Sequence, residues 1–150
     1  MLLLPPDPTL PSFIVALLKE YGLPGESLAL EVTENDMVAL SESMMIRLDT
    51  IRALGVGLAV DDFGTGFSGL LNLVKLPVTE IKIDKSFIAG MIVDKRSRAL
   101  TEAMTGIGHS LGLAVVAEGA KHRKQIALLR QLRCSVIQGY FFHGHCPHSN

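Results

Sequence analysis

The chain has 150 residues, of which 48% are hydrophobic, and this is enough for one domain with a buried core. Its 14 Lys and Arg residues nearly balance 15 Asp and Glu residues, so the total charge predicts no broad basic face for DNA or anionic lipid. The apolar run at residues 1–6 is too short for a signal peptide or a membrane span, which makes the cytoplasm the expected compartment.

The first third of the chain predicts helix, strand and helix in turn. A helical pattern covers residues 12–21, with Gly22 at its end, and a short apolar run at residues 27–31 predicts a strand. Apolar side chains then recur at steps of four, four and three over residues 40–51, which is typical of an amphipathic helix. Gly55 stands where that helix should end.

The same alternation continues to the end of the chain. Strands are predicted at residues 56–61 and 79–83, and a short helix at residues 68–75 lies between them. A second apolar stripe predicts a helix over residues 100–111, ended by Gly112. Two more strands are predicted at 113–117 and 135–138. Because these runs are continuous in Leu, Val, Ile and Ala, they favour an α/β fold with parallel strands buried on both faces.

Successive predicted strands end in polar side chains. Because the carboxyl ends of parallel strands in a barrel meet on one face, these groups should form one acidic pocket that contains one lysine. Any one of them alone could be a surface or paired group, but together they must be paired, exposed or bound to metal. The groups are Glu31, Asp61 with Asp62, Lys82 with Asp84, Glu118 and Gln138.

The stretch AVDDFGTGFSG at residues 59–69 has two interpretations. Its G-x-G-x-x-G spacing resembles a dinucleotide-binding loop, in which backbone N–H groups hold a pyrophosphate. Asp61 and Asp62 disfavour that interpretation, because they would repel a pyrophosphate, and residues 69–77 are too few for the usual crossover helix. Two carboxylates suit hard divalent cations instead, and a pair of cations can hold a phosphodiester for in-line displacement.

Five motifs carry a resemblance to a known family. EVTEN (31–35), DDFGTGFSGL (61–70), IKIDKSF (81–87), VVAEG (115–119) and IQGYFF (137–142) occur in this order. In order and spacing they resemble the EAL-domain cyclic di-GMP phosphodiesterases. The resemblance implies a TIM-like barrel whose first strand runs antiparallel to the rest. It also implies hydrolysis of cyclic di-GMP to pGpG with Mg²⁺ or Mn²⁺.

The resemblance also implies roles for individual residues. Glu31 and Asp62 would be metal ligands, and Asp61 would bridge both metals. Glu34 would anchor the loop that begins at Asp62. Lys82 would orient the attacking water and the phosphate. Glu118 would hold a metal-bound water, and Gln138 would hydrogen-bond near the same centre. The substrate and dimer loop would consist of Phe63, Gly64, Thr65, Gly66, Phe67 and Ser68.

The chain departs from the family pattern at three places. The 150 residues contain neither the Glu-Ala-Leu strand nor the metal-binding Asn, and the usual E-G-V-E reads Glu118-Gly119-Ala120-Lys121. We therefore expect a partial EAL domain at residues 1–142, an incomplete barrel of about five of the eight β/α units. Its open edges should pair with a second copy or with another EAL segment.

Two functions follow from the resemblance and its departures. The first is a truncated or degenerate EAL-type phosphodiesterase of bacterial second-messenger signalling, with little activity from this chain alone. The alternative is a non-catalytic module that binds cyclic di-GMP or a protein partner. Hydrolysis of cyclic di-GMP separates the two.

The cysteines and the tail carry weaker signals. Cys134 and Cys146 have no C-x-x-C spacing, so we expect a buried thiol and a tail thiol without a disulfide. Residues 143–150 contain three His and one Cys, which could bind a transition metal, but a frayed tail is the expectation.

Overall fold

The computed structural model of the chain describes residues 10–66 and 69–139. Phe67, Ser68, the expected boundary at residue 142, Cys146 and the His-rich tail lie outside these residues. The helices are α1 (Leu10–Tyr21), α2 (Glu34–Val38), α3 (Glu42–Ala53), α4 (Gly69–Lys75), α5 (Lys85–Gly90), α6 (Lys95–Ser110) and α7 (Arg123–Gln131), and the strands are β1 (Ala29–Thr33), β2 (Gly57–Phe63), β3 (Glu80–Ile83), β4 (Ala114–Ala117) and β5 (Val136–Ile137).

The strands form one sheet in the order of the sequence, and each neighbouring pair is parallel. The predicted α/β class and the parallel sheet are therefore confirmed. A cluster of buried aliphatic side chains, among them Leu48, Ile51, Ile81 and Leu129, joins helices to the strands. Within the described residues, the outer edges of β1 and β5 have no partner strand.

The first strand lies two residues later than predicted. Residues Gly25–Ser27 form a short 3-10 helix, and β1 continues past Glu31 because Val32 keeps the buried alternation of the strand. Thr33 ends β1, since its side-chain oxygen accepts a hydrogen bond from the backbone N–H of Asp36 at the start of α2. Glu31 thus lies inside a strand and not at its end.

The predicted apolar stripe is confirmed on α3 and only in part on α6, where Met104 is buried and Ile107 packs against the core. Met44, Leu48 and Ile51 are buried on α3, whereas the buried face of α6 contains Thr101, Met104, Thr105 and Gly108. The Thr101 and Thr105 hydroxyls donate to backbone carbonyls one turn earlier, at 2.8 and 2.7 Å, so both side chains can be buried without an unpaired polar group. Leu100 and Leu111 remain exposed instead.

Three helices end at the glycines that the sequence predicts. Gly22, Gly55 and Gly112 all have positive φ angles just after α1, α3 and α6, a conformation that other residues adopt at a cost. None of the helices in residues 10–66 and 69–139 has the length and apolar character that crossing a bilayer requires.

Candidate functional site

An irregular pairing in β2 brings two adjacent acids to the same edge of the sheet. Val60 pairs with Ile81 and Phe63 pairs with Ile83, so β2 advances three residues where β3 advances two. Asp62 carries the irregularity, with a φ angle of 53°. Because side chains in a regular strand alternate between faces, this bulge is what allows Asp61 and Asp62 to serve one site.

Three carboxyl groups gather at this edge. Asp61, Asp62 and Glu118 each offer an oxygen, and these oxygens lie within 4.8 Å of one another. Burial raises the pKa of Asp62 above its ordinary value, and the negative charges of Asp61, Asp84 and Glu118 raise that pKa further. The crowding of like charges is relieved if a cation binds, so this group of oxygens is suited to a metal ion.

Lys82 lies among the acids on β3. Its Nζ atom lies 2.9 Å from Glu31 Oε1, 2.9 Å from Glu118 Oε1 and 3.8 Å from Asp61 Oδ1. Burial alone would lower the pKa of Lys82, but the hydrogen bonds to Glu118 and Glu31 and the charge of Asp61 outweigh it and raise the pKa. Lys82 therefore remains an ammonium group at neutral pH and joins Glu31 to the other acids.

The glycine-rich loop is attached to a buried acid. Glu34, only 3% exposed, accepts hydrogen bonds from the backbone N–H groups of Gly64 at 2.9 Å, Gly66 at 2.9 Å and Gly69 at 3.2 Å. These donors are the groups that a dinucleotide loop would direct at a pyrophosphate. Since they already bind Glu34, the backbone-phosphate interpretation of residues 59–69 does not fit the structure.

Three further predicted residues within the described part of the chain lie near these acids: Phe63, Thr65 and Gln138. Phe63 is buried in the hydrophobic core, and the Thr65 hydroxyl donates to the backbone carbonyl of Asp62 at 2.8 Å. Gln138 follows β5, where its backbone N–H donates to the Ala117 carbonyl at 2.9 Å. Lys82 thus forms ion pairs with Glu31, Asp61 and Glu118. The backbone hydrogen bond to Ala117 places Gln138 next to the end of β4.

Two further acids lie in this region: Asp84, which the sequence places in the acidic pocket without a role of its own, and Glu80, which sequence reasoning did not single out. Asp84 caps α5 by accepting a hydrogen bond from the backbone N–H of Ser86 at 2.9 Å, and its charge helps to raise the pKa of Asp62. Glu80 lies on β3 two residues before Lys82; burial raises its pKa, Lys82 lowers it, and Glu31 and Glu118 raise it again. The available signal was position, because Asp84 follows a strand end and Glu80 shares the strand-face parity of Lys82.

The comparison with protein families identifies the chain. Residues 5–144 match the family model described as the EAL domain. The chain belongs to the EAL domain family. Its EAL motifs from residue 31 to residue 142 all lie within the matched range.

Relatives of this EAL chain include longer signalling proteins. It is 51% identical over 133 residues to the oxygen sensor protein DosP of Escherichia coli, an alignment that covers 89% of this chain and 17% of DosP. It superimposes on the PaMucR phosphodiesterase in complex with c-di-GMP with a TM-score of 0.82 and 35% identity. That superposition covers 93% of this chain and 56% of the PaMucR chain.

A third similarity concerns a metal complex. The chain matches the manganese and cy-diGMP complex of Klebsiella pneumoniae BlrP1 with a TM-score of 0.83 and 26% identity, over 91% of this chain and 35% of that one. The chain therefore spans about a sixth of the DosP length and just over half of the PaMucR chain. The expected incomplete TIM-like barrel is confirmed by this partial coverage of EAL structures.

The acidic group of this EAL chain fits a divalent cation. Oxygen donors from carboxylates suit hard ions such as Mg²⁺ and Mn²⁺, and Asp61, Asp62 and Glu118 supply three of them within a small volume. Glu31 does not belong to this close group, because its Oε1 atom faces Lys82. The assignment of Glu31 as a metal ligand stays a prediction.

Proposed function

We propose that this chain carries the central part of a cyclic di-GMP phosphodiesterase site of bacterial second-messenger signalling. The observation that carries the proposal is the acidic group of Asp61, Asp62 and Glu118, with Lys82 ion-paired to Glu118 at 2.9 Å. The similarity to a phosphodiesterase bound to c-di-GMP supports the choice of substrate.

Divalent cations would be held by Asp61, Asp62 and Glu118, with Glu31 as a further ligand. Because the Glu118 oxygen lies close to those of Asp61 and Asp62, Glu118 would be a direct ligand here and not the holder of a metal-bound water, as the family resemblance implied. When bound, such ions neutralise phosphoryl oxygens and lower the pKa of water, which supplies the nucleophile of a metal-assisted hydrolysis. Mg²⁺ and Mn²⁺ are the proposed ions, and the manganese complex of BlrP1 supports this choice. The bulge in β2 positions Asp61 and Asp62, and the end of β4 positions Glu118, so the ligands are held in place by the sheet.

Lys82 and the loop would act on the substrate itself. Lys82 is held between Glu31 and Glu118, so its remaining N–H can donate to a phosphate oxygen. Gln138 would donate a hydrogen bond near the same centre, from its position at the end of β5. Glu34 would keep the segment from Phe63 to Gly66 folded beside the metal ligands, since it already binds the N–H groups of Gly64 and Gly66.

We propose that this chain alone turns over slowly. Six oxygen ligands around each of two cations are more than the acids of this site provide, and the family's Glu-Ala-Leu strand and Asn are not among the 150 residues. Loss of ligands lowers occupancy and lets the attacking water move off its line. A second copy or another EAL segment would pair along the open edges of β1 and β5, but only a segment that contains the Glu-Ala-Leu strand and the Asn would supply the missing ligands. The cytoplasm is the proposed location.

The test is chromatographic detection of pGpG from cyclic di-GMP with Mn²⁺, beside an Asp61→Asn, Asp62→Asn control. We expect slow hydrolysis by the native chain and none by the control. Addition of a separate EAL segment that contains the Glu-Ala-Leu strand should increase the rate. Binding of cyclic di-GMP with no pGpG in either mixture would favour the non-catalytic receptor instead. Turnover near about one per second by the chain alone, ordinary for an enzyme, would contradict the slow-turnover part.

A further inference from the structure

The nearly neutral total charge conceals a strong separation of charge along the chain. All 15 Asp and Glu residues lie at or before Glu118, together with nine of the 14 Lys and Arg residues. The residues after Glu118 contain five Lys and Arg residues and no acid. A local excess of one sign acts over roughly a Debye length of about 8 Å, so it affects ligands even when the total charge is small.

Part of this basic segment follows Glu118 of the acidic group closely in the chain. Lys121 follows Glu118 by three residues, so their α-carbons are at most about 11 Å apart. Arg123 and Lys124 open α7, and their side chains, like that of Lys121, are exposed. In a β/α unit the helix begins at the edge where the preceding strand ends. The first residues of α7 therefore lie on the same edge of the sheet as the site.

Lys85 joins this group from the neighbouring loop. Gly119 lies so close to it that a Cβ built on Gly119 would be 2.8 Å from the Cβ of Lys85. Lys85 is exposed and is the first residue of α5. The loop after β3 therefore brings Lys85 next to the loop after β4, two residues before Lys121.

The basic turn has a fixed backbone. The buried side chain of Gln125 accepts hydrogen bonds through Oε1 from the backbone N–H groups of Lys121, at 2.8 Å, and His122, at 2.9 Å. Its Nε2 group donates to the Ile88 carbonyl at 2.9 Å. Gln125 thus ties the turn to α5, so the cations beside the site are carried on an ordered support and lose less entropy on binding.

We propose that Lys85, Lys121, Arg123 and Lys124, called the basic rim from here on, bind phosphate oxygens of the anionic dinucleotide beside the acidic group. The inference rests on the proposed function, because it names where the rest of that substrate lies. A cyclic dinucleotide carries two phosphodiester groups, and the proposed metal site of Asp61, Asp62 and Glu118 would hold the one that reacts. The second anionic group needs cations of its own, because the carboxylates beside it are repulsive.

The test uses two probes and two triple variants of the chain. The rim variant is Lys121→Gln, Arg123→Gln, Lys124→Gln. The control is Lys19→Gln, Lys75→Gln, Arg130→Gln, which removes the same charge from exposed positions in the last turns of α1, α4 and α7. The probes are cyclic di-GMP with Mn²⁺, followed by calorimetry, and sodium pyrophosphate in EDTA, followed by amide chemical shifts.

We expect the rim variant to bind cyclic di-GMP about tenfold more weakly. The control should change by less than about twofold, because its charges lie in the last turns of helices, at the edge of the sheet opposite to the site. Pyrophosphate should shift the amide signals of residues 121–124 without metal, and added salt should reverse this. Equal affinity of the native chain and the rim variant, or no pyrophosphate shifts there, would overturn the basic rim. Pyrophosphate shifts without any cyclic di-GMP binding would reject the proposed function while the rim's phosphate binding stands.

Discussion

The Oε2 atom of Glu34 lies 2.9 Å from the backbone nitrogen of Gly66, which comes 32 residues later in the chain. Gly64 donates to the same oxygen at 2.9 Å. One buried carboxyl group therefore fixes the conformation of the loop that follows Asp61 and Asp62. The loop owes its shape to a long-range contact, and its glycines supply the close approach that this contact requires.

Replacement of Glu34 by Ala should free this loop. The change removes the acceptor of three backbone N–H groups, and we expect it to lower the free energy of unfolding by about 2 to 4 kcal/mol. Urea unfolding measures the loss, and hydrogen exchange should show faster exchange at Gly64 and Gly66. Glu20→Ala, at an exposed position of α1, is the matched control and should change neither quantity. Unchanged exchange at Gly64 in Glu34→Ala would show that the loop holds itself.

Replacement of Lys82 by Met should give a pH-dependent loss of stability. The folded-state pKa of Lys82 is raised above its ordinary value of 10.5, so its contribution is complete below that pH and is lost as pH rises through the folded pKa. We expect Lys82→Met to cost about 2 kcal/mol at pH 7, because Glu31 and Glu118 lose their partner. The difference from the native chain should shrink above about pH 10.5.

The Lys82 measurement is a series of urea unfolding curves in EDTA between pH 7 and pH 12. Lys75→Met, at an exposed position on α4, serves as the control and should differ from the native chain equally at every pH. A difference for Lys82→Met that stays constant over the whole range would mean that its ion pairs contribute no net stability.

Two glycines of α6 should respond oppositely to alanine. A Cβ at Gly106 meets nothing within 4 Å, so Gly106→Ala should stabilise the protein by about 0.5 to 1 kcal/mol through helix propensity. At Gly108 the same atom would collide with Val115 on β4 and approach Ile81 to 3.0 Å, so Gly108→Ala should destabilise by about 1 to 3 kcal/mol. Thermal melting of both variants tests the pair. Similar shifts in the two melts would contradict the close packing of α6 on the sheet.

Binding of Mn²⁺ should depend on Asp61. Asp61→Asn removes one oxygen charge from the acidic group, and we expect at least about a tenfold loss of affinity by calorimetry. Asp49→Asn, an exposed change of the same kind on α3, should leave the heat of binding as in the native chain. If Asp61→Asn and the native chain give equal heats, then the acidic group does not bind the ion.

Much of the fold follows from local patterns in the sequence, but two features depend on tertiary contacts. The order of helices and strands is predictable because buried parallel strands are continuous apolar runs. The buried face of α6 is not, because Thr101 and Thr105 satisfy their hydroxyls on the helix backbone and so replace the apolar residues that periodicity requires. The end of β1 was misplaced because a charged Glu31 is unexpected inside a strand. The ion pair that makes it acceptable there involves Lys82 of another strand, which the local sequence does not indicate.

The sequence predicts which residues form the candidate site better than it predicts how they are arranged. Strand-end position and the family motifs both indicate Asp61, Asp62, Lys82 and Glu118. The division into a close group of three acids and a lysine-linked Glu31 depends on distances that no spacing in the sequence encodes. Asp84 was predicted in the pocket without a role of its own, and the structure shows that it caps α5.

The bulge in β2 also limits how this site can be copied into other proteins. The additional residue gives the acidic group two consecutive carboxylates and returns Phe63 to the hydrophobic core opposite Ile83. An Asp-Asp pair grafted onto a regular strand would send one of its charges into the layer of helices, where an unpaired charge is costly. A designer who transfers the two acids must therefore transfer the inserted residue and its left-handed backbone with them.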